Sequence, residues 1–344
     1  PLYSSAASDV YKRQGVDVGA FRYKLEQENN DWYLVRTGQL SDTSYVAKNT
    51  HSSLSSLFYS HLNPVFNRLR VGHKAAEHDS GLWVKGLGRK IKFHFKDKTH
   101  SSLEIYGSAI GFDHEVWHNE SSHVKVGVYT GYTDTRQKYD RAGRGDADTH
   151  SLGMYSSLNT ADNWFVDVVG TYFWHDQKIR SYTPSGADVD GKYKTHSWQA
   201  SVFAGRRINL RDNWFVEPSA GFSYMHINGA DYRTNFNTLV EMSNAGYFSG
   251  NAGLVGGKKF AVGENSSLDA YGRFNLIYDW DGKNEIKVAS YSMTEDIASL
   301  RYEFGAGVNF VWDKDSSVYM EASTQLGDQV DIPWEINLGL QYDF

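Results

Sequence analysis

Pro333-Trp334-Glu335-Ile336-Asn337-Leu338-Gly339-Leu340-Gln341-Tyr342-Asp343-Phe344, the last stretch of the chain, decides the fold. Trp334, Ile336, Leu338, Leu340, Tyr342 and Phe344 are apolar, while Glu335, Asn337, Gly339, Gln341 and Asp343 are polar or small. Successive side chains of a strand point to opposite faces, so this period of two makes one face greasy and the other wet. Upstream the pattern repeats. Tyr302, Phe304, Ala306, Val308, Phe310 and Trp312 alternate with Arg301, Glu303, Gly305, Gly307 and Asn309. Val124, Val126 and Val128 alternate with Lys125, Gly127 and Tyr129, and Trp214, Val216 and Phe222 alternate with Phe215, Glu217 and Gly221.

The connections sort these segments. Five are short: 118–121, 159–163, 211–213, 263–266 and 313–315. Six read as longer polar loops, at about 95–101, 139–148, 181–194, 228–246, 280–299 and 327–333. Short and long alternate, and eleven connections make twelve strands between residues 81 and 344. Trp83, Trp117, Trp164, Trp174, Trp214, Trp280, Trp312 and Trp334 stand at strand ends. Alternating short turns and long loops, with aromatics at the ends, is the plan of an outer-membrane barrel. The expected fold is all-β, a twelve-stranded antiparallel transmembrane β-barrel. A soluble sandwich or lipocalin-like barrel shares the alternation but would turn its apolar face inward.

Composition conceals this. The chain has 344 residues, 51 of them aromatic by its counts of Tyr, Phe and Trp, no Cys, and a net charge of -6. Its mean hydropathy is -0.55. No Cys excludes a disulfide framework, a thiolate nucleophile and a Cys zinc site. The mildly acidic balance does not suggest a nucleic-acid partner. No apolar run reaches the roughly 18 to 20 residues of a membrane helix, which excludes only the helical kind of membrane protein.

The N-terminal part reads differently. Residues 1–14 continue nothing downstream and read as a non-native tail, and a signal peptide is not seen at Pro1, so an envelope protein would be present here as a fragment. Val16 to Leu25 and Trp32 to Val35, around Glu28-Asn29-Asn30-Asp31, read as two strands and a hairpin within 15–37. Residues 38–50 read as a linker. Leu54, Leu57, Phe58, Leu62, Val65, Phe66 and Leu69 recur at helical spacing, which predicts a helix over about 50–70, capped by Ser52 or Ser53 and interrupted at Pro64. Its polar residues, His61, Asn63, Asn67, Arg68 and Arg70, fit either a wet pore or the barrel rim.

Three stretches in this order resemble the type V autotransporters, the pertactin-like family. Gly19-Ala20-Phe21-Arg22-Tyr23-Lys24-Leu25 with Asn30-Asp31-Trp32-Tyr33-Leu34-Val35 is similar to the end of a passenger β-helix. Leu62-Asn63-Pro64-Val65-Phe66-Asn67-Arg68-Leu69, running into Gly81-Leu82-Trp83-Val84-Lys85-Gly86, resembles the family's pore helix and first strand. Pro333 to Phe344 resembles its final strand. The resemblance implies a C-terminal translocator in the outer membrane of a Gram-negative bacterium. It would export its own passenger to the cell surface and anchor it, as a monomer and without a cofactor. Domains follow: 15–37 the passenger's end, 38–80 linker and pore helix, 81–344 the translocator. The implied partners are the lipid bilayer, periplasmic chaperones, the barrel-assembly machinery and the passenger, with Trp334, Tyr342 and Phe344 as the assembly signal. The alternative is a channel or a surface barrel enzyme, protease or lipase, without a passenger.

Parity places Glu217, Arg301, Glu303, Glu321 and Glu335 in the lumen. Paired carboxylates invite acid-base chemistry. A solvated pore wall, or counter-ions for Arg68 and Arg70, is the plainer reading, and no enzyme activity is expected. The histidines show no metal-ligand spacing, so no metal site is expected. His175 and Asp176 are the candidates for a rim protease, and Arg144-Gly145-Asp146 matches an adhesion tripeptide in an expected outer loop. Asn163-Trp164-Phe165-Val166-Asp167 and Asn213-Trp214-Phe215-Val216-Glu217 repeat one interface solution.

Some members of the resembled family cleave their passenger at an Asn of the pore helix, and Asn63 matches that position. Pro64 follows it where cleaving relatives carry Asn or Ala, and the helix is differently spaced. An uncleaved chain is therefore expected. Mass spectrometry of the purified protein beside Asn63→Ala should find the N-terminal extension intact in both; loss of it from the wild type alone would show self-cleavage.

Overall fold

A computed structural model of the chain describes residues 15–29, 31–54, 79–96, 98–140, 143–313 and 315–344. β1 (Val16–Val18), β2 (Phe21–Glu28) and β3 (Asp31–Leu40) form a three-stranded antiparallel sheet. One helix follows, α1 (Asp42–Leu54). The barrel strands are β4 (Ser80–His94), β5 (His100–Asn119), β6 (Ser122–Tyr139), β7 (Gly143–Thr160), β8 (Trp164–Tyr182), β9 (Asp188–Arg206), β11 (Trp214–Ile227), β14 (Ala245–Ala261), β15 (Ser267–Asp281), β18 (Leu300–Val311), β19 (Ser316–Gly327) and β20 (Val330–Asp343). A short β10 (Ile208–Asn209) folds back on β11. All neighbours are antiparallel. The ring is continuous through β9 and β11, with Val202 opposite Phe222, and through β20 and β4, with Leu338 opposite Gly86. At this last seam the Ser80 amide donates to the Phe344 carbonyl at 3.2 Å and the Phe344 amide donates back at 2.9 Å. This is the closed twelve-strand barrel expected from the alternation.

The strands run further than a membrane requires. Trp164 and Trp174 both face outward on β8, ten residues apart. At roughly 3.3 Å per residue and a tilt of about 40°, that distance spans about 25 Å of height, the thickness of a lipid-facing band. Eight more residues, to Tyr182, carry the wall roughly 20 Å beyond it. The outward tryptophans define the two edges: Trp117, Trp164, Trp214 and Trp312 near the short turns, and Trp174, Trp198, Trp280 and Trp334 at the far edge.

At that far edge β4, β5 and β20 change phase. On β4 the outward residues change from Leu82 and Val84 to Lys90 and Lys92, and the inward ones from Lys85 and Arg89 to Ile91 and Phe93. On β5 Phe112, Ile110 and Tyr106 face out below, and Ile105 and Leu103 are buried inside above. On β20 Glu335 and Asn337 are buried inside below, and Ile332 and Val330 above. Lipid bathes the lower outer face and water the upper one, so the apolar side must swap faces at the boundary.

Three expectations are corrected here. First, the segments 139–148, 181–194 and 327–333 are mostly strand, β4 and β5 leave 95–99 between them, and Arg144-Gly145-Asp146 lies within β7, paired on both sides. Of the long loops only 228–246 and 280–299 carry substantial connections. They fold into a second sheet, β12 (Ala230–Arg233), β13 (Leu239–Met242), β16 (Lys283–Val288) and β17 (Tyr291–Asp296). Second, residues 42–50 are helical rather than linker, and the cap is Ser41, whose Oγ accepts from the Ser44 amide at 3.2 Å. Ser52 and Ser53 fall inside α1, and the expected helix beyond Leu54, with Leu62, Asn63, Pro64, Asn67, Arg68 and Leu69, lies outside the described residues. Third, Trp83 is not interfacial. It is buried in the lumen, donates from Nε1 to the Tyr155 hydroxyl at 2.8 Å, and packs on Tyr129 and Tyr155.

Glycines make room for these rings. A Cβ on Gly153 would stand 2.2 Å from the Tyr129 ring, and one on Gly111 would stand 2.3 Å from Trp83. Gly153→Val should therefore cost about 1–3 kcal/mol through overpacking. Gly170→Val, where a Cβ meets nothing within 4 Å, should stay within about 0.5 kcal/mol of wild type. Urea unfolding of the barrel in lipid vesicles measures both.

Candidate functional site

The lumen below the phase change is a wall of buried charge. β15, β18 and β19 bring Arg273 between Glu303 at 2.7 Å and Glu321 at 3.1 Å, all three side chains almost fully buried. Asn275 donates to Glu303 at 2.6 Å, and the Tyr271 hydroxyl donates to Glu321 at 2.8 Å. On the closing seam Arg89 of β4 pairs with Glu335 of β20 at 2.5 Å, and Asn337 also donates to Glu335 at 2.8 Å. Arg301 pairs with Asp279 at 3.0 Å and donates to Gln325 at 3.2 Å. Period-two geometry explains the clustering, since residues directly opposite on neighbouring strands share a face.

The structure therefore brings Glu303 and Glu321 together on one arginine. Glu335 and Arg301 each hold a different partner, and Glu217 stands buried on β11. Arg68 and Arg70 lie outside the described residues; the counter-ions seen for these acids come from the wall itself. Arg89 and Lys85 went unremarked in the sequence, although both share the parity of inward Trp83. Buried Asp113, accepting from the Tyr155 hydroxyl at 2.5 Å, continues the polar lining across the lumen.

Above the phase change the interior is an apolar collar. Ile91, Phe93, Leu103, Ile105, Phe173 and Ile332 surround Leu54, the last residue of α1. The helix runs down into this mouth and is buried on nearly every side. Lys48 forms a buried ion pair with Glu295 of β17. Thr50 hydrogen-bonds the Tyr139 hydroxyl at 2.5 Å, and the Tyr45 hydroxyl donates to the His100 carbonyl at 3.2 Å. Burial holds the Tyr139 and Tyr232 hydroxyls well above the usual phenol range, so they remain neutral hydrogen-bonding groups.

The N-terminal sheet is tied to the same mouth. Arg22 sits between Asp17 at 2.9 Å and Asp42 at 3.0 Å, joining β1, β2 and the first turn of α1. The hydrogen bond it donates to Asp17 is the main reason the Arg22 guanidinium is held above its ordinary pKa. Phe21 meets Tyr291 edge-on at 4.5 Å, and the Arg36 guanidinium stacks over Phe21 at 3.2 Å. Val46, Val240, Met242, Ile286 and Val288 complete one core shared by helix, loops and N-terminal sheet.

Other candidates disperse. His175 points inward between Thr149 at 2.9 Å and Ser197 at 2.8 Å, while Asp176 points outward to Lys194 at 3.2 Å, so the two never share a face. Among the described residues no three His, Cys, Asp or Glu side chains are grouped to hold a metal. Tyr342 and Phe344 are exposed on the outer face near the short-turn edge, and Trp334 is half-buried at the other.

A model of the autotransporter β-domain matches residues 82–323. The chain belongs to that family. It is 25% identical to the BrkA autotransporter of Bordetella pertussis over 334 residues, 96% of this chain and 33% of that protein. It is 24% identical to the pertactin autotransporter of Bordetella bronchiseptica over 315 residues, 89% of this chain and 33% of the relative. The chain thus spans about a third of the length of these curated relatives. The crystal structure of the BrkA β-domain covers 77% of this chain and 100% of its own at a TM-score of 0.66 and 23% identity. The transport unit of AIDA-I from Escherichia coli covers 87% and 99% at 0.67 and 14% identity, sharing the fold. An outer-membrane location follows from family and barrel together.

Arg273 is the hub of the lumenal wall. Arg273→Met should cost about 3–5 kcal/mol because Glu303 and Glu321 are left buried without a counter-charge. Adding Glu303→Gln and Glu321→Gln should recover most of that loss. Urea unfolding of the wild type and both variants in lipid vesicles tests the coupling.

Proposed function

We propose that this barrel exports a passenger attached before Gly15 and holds it at the cell surface, and that it catalyses no reaction. The observation that carries the reading is where the chain enters. β1–β3 lie at the mouth beyond the far edge of the membrane band, and α1 descends from there to the collar. β4 starts at the opposite end, beside Phe344. Anything joined ahead of Gly15 therefore starts on the long-loop side, which in such barrels is the outside.

The remaining assignments follow as parts of this proposal. Residues 15–37 are the end of the passenger, and the segment with Leu62, Asn63, Asn67, Arg68 and Leu69 occupies the pore. Glu217, Arg301, Glu303, Glu321 and Glu335 keep the wall polar for a passing chain. Periplasmic chaperones deliver the protein unfolded, a state that a chain without Cys cannot lock by disulfides. The barrel-assembly machinery reads Trp334, Tyr342 and Phe344.

An epitope with a protease site fused ahead of Gly15 should be cut by protease added to intact Gram-negative cells expressing the protein. An epitope that stays protected while the barrel is folded in the outer membrane would favour a channel without a passenger.

A further inference from the structure

The outward face of β6–β9 above Trp174 is ordered by charge. The strand registers set four rows side by side. The first is aromatic: Tyr132, His150, Trp174 and His196. Directly above it stand Asp134, Asp148 and Asp176, followed by Lys194. The third row is Arg136, Asp146, Lys178 and Lys192, and the fourth is Lys138, Arg144, Arg180 and Asp190.

Two of these rows are unfavourable as they stand. Like charges directly opposite on neighbouring strands repel, yet Lys138, Arg144 and Arg180 are consecutive neighbours, and so are Lys178 and Lys192. Arg180 is satisfied by Asp190 at 2.7 Å and Asp188 at 3.2 Å, and Lys178 leans to Asp148 at 3.7 Å. Arg136, Lys138, Arg144 and Lys192 are exposed, and among the described residues none has an acid within ion-pair distance. At the foot of the wall an open groove of about 590 Å³ is bounded by Tyr132, Asp148, His150, Trp174, Asp176 and Lys194. Its flat rings beside carboxylates are the chemistry that holds a sugar ring and its hydroxyls.

Position selects the occupant. This face continues the lipid-contacting band, and the basic rows lie roughly 10 to 15 Å above the aromatic row. What stands outside the barrel at that height is the hydrated headgroup layer of the outer leaflet, where water and polar headgroups share the wall. We propose that the β6–β9 wall is a docking surface for a phosphorylated glycolipid headgroup, with its sugar in the groove at Trp174 and its phosphates against Arg136, Lys138, Arg144 and Lys192. The inference goes beyond passenger export and rests only on the barrel's place in the outer membrane.

Native mass spectrometry of the full chain in detergent micelles tests it, with diphosphorylated lipid A, the same lipid stripped of phosphate, and inorganic phosphate as probes. The variant R136Q/K138Q/R144Q/K192Q should bind diphosphorylated lipid A at least tenfold more weakly than wild type. The control R206Q/R211Q/K258Q/K259Q, with the same charge change near the short turns, should stay within twofold. Heat-modifiable migration on gels checks that both variants remain folded barrels. Equal affinity of the wild type for the stripped lipid, equal losses in the two variants, or full displacement by inorganic phosphate would each overturn the proposal.

Discussion

The structure turns on a change of solvent along one continuous wall. Hydrocarbon touches the outer face of each long strand up to the far tryptophan row, and water touches it above. A strand offers only two faces, so its apolar side must lie outside below that row and inside above it. β4 makes the exchange in one step, from inward Arg89 to inward Ile91. The lower part is thus a membrane barrel with a polar lumen. The upper part is built like a soluble barrel, with a core.

That core gives α1 something to hold. A helix in a purely polar channel would gain little from burial, whereas Leu54 enters a ring of Ile, Leu and Phe side chains. Fully burying one such side chain is worth about 1.5–3 kcal/mol. The helix's polar residues are matched individually, Lys48 by Glu295 and Thr50 by Tyr139. In the lower lumen the charges pair across strands, through Arg273 with Glu303 and Glu321 and through Arg89 with Glu335. Buried ion pairs are weak evidence of stability, because desolvation offsets most of their attraction. Their geometry instead ties β4 to β20 and β15 to β18 and β19 in one register.

The lower barrel was legible because its alternation is unbroken, most plainly from Trp334 to Phe344. The upper wall was not, for a physical reason: once the phase inverts, Lys, Arg and Asp fall where Val and Leu had been. Gly143-Arg144-Gly145-Asp146 then looks like a loop although it is strand. Trp83 was misplaced by type, an aromatic at a strand start, when its parity with Lys85 and Arg89 already set it inside. α1 escaped notice because Asp42-Thr43-Ser44 and Lys48-Asn49-Thr50 resemble linker, their polarity answered by the barrel rim. The lumenal acids were legible from parity, but their arginine partners depend on cross-strand register, which one strand alone does not reveal.

The seam between β4 and β20 has a kinetic consequence. The partners that close the ring, Ser80 and Phe344, are the most distant pair along the barrel sequence. Until the final residues are in place the sheet has two open edges, each a row of unpaired amides and carbonyls that hydrocarbon cannot satisfy. Closure is therefore intrinsically the last and slowest pairing to form, since the longest loop must be drawn together first. A chain that lost its last strand would lose more than one-twelfth of a wall: it would remain an open sheet with no inside.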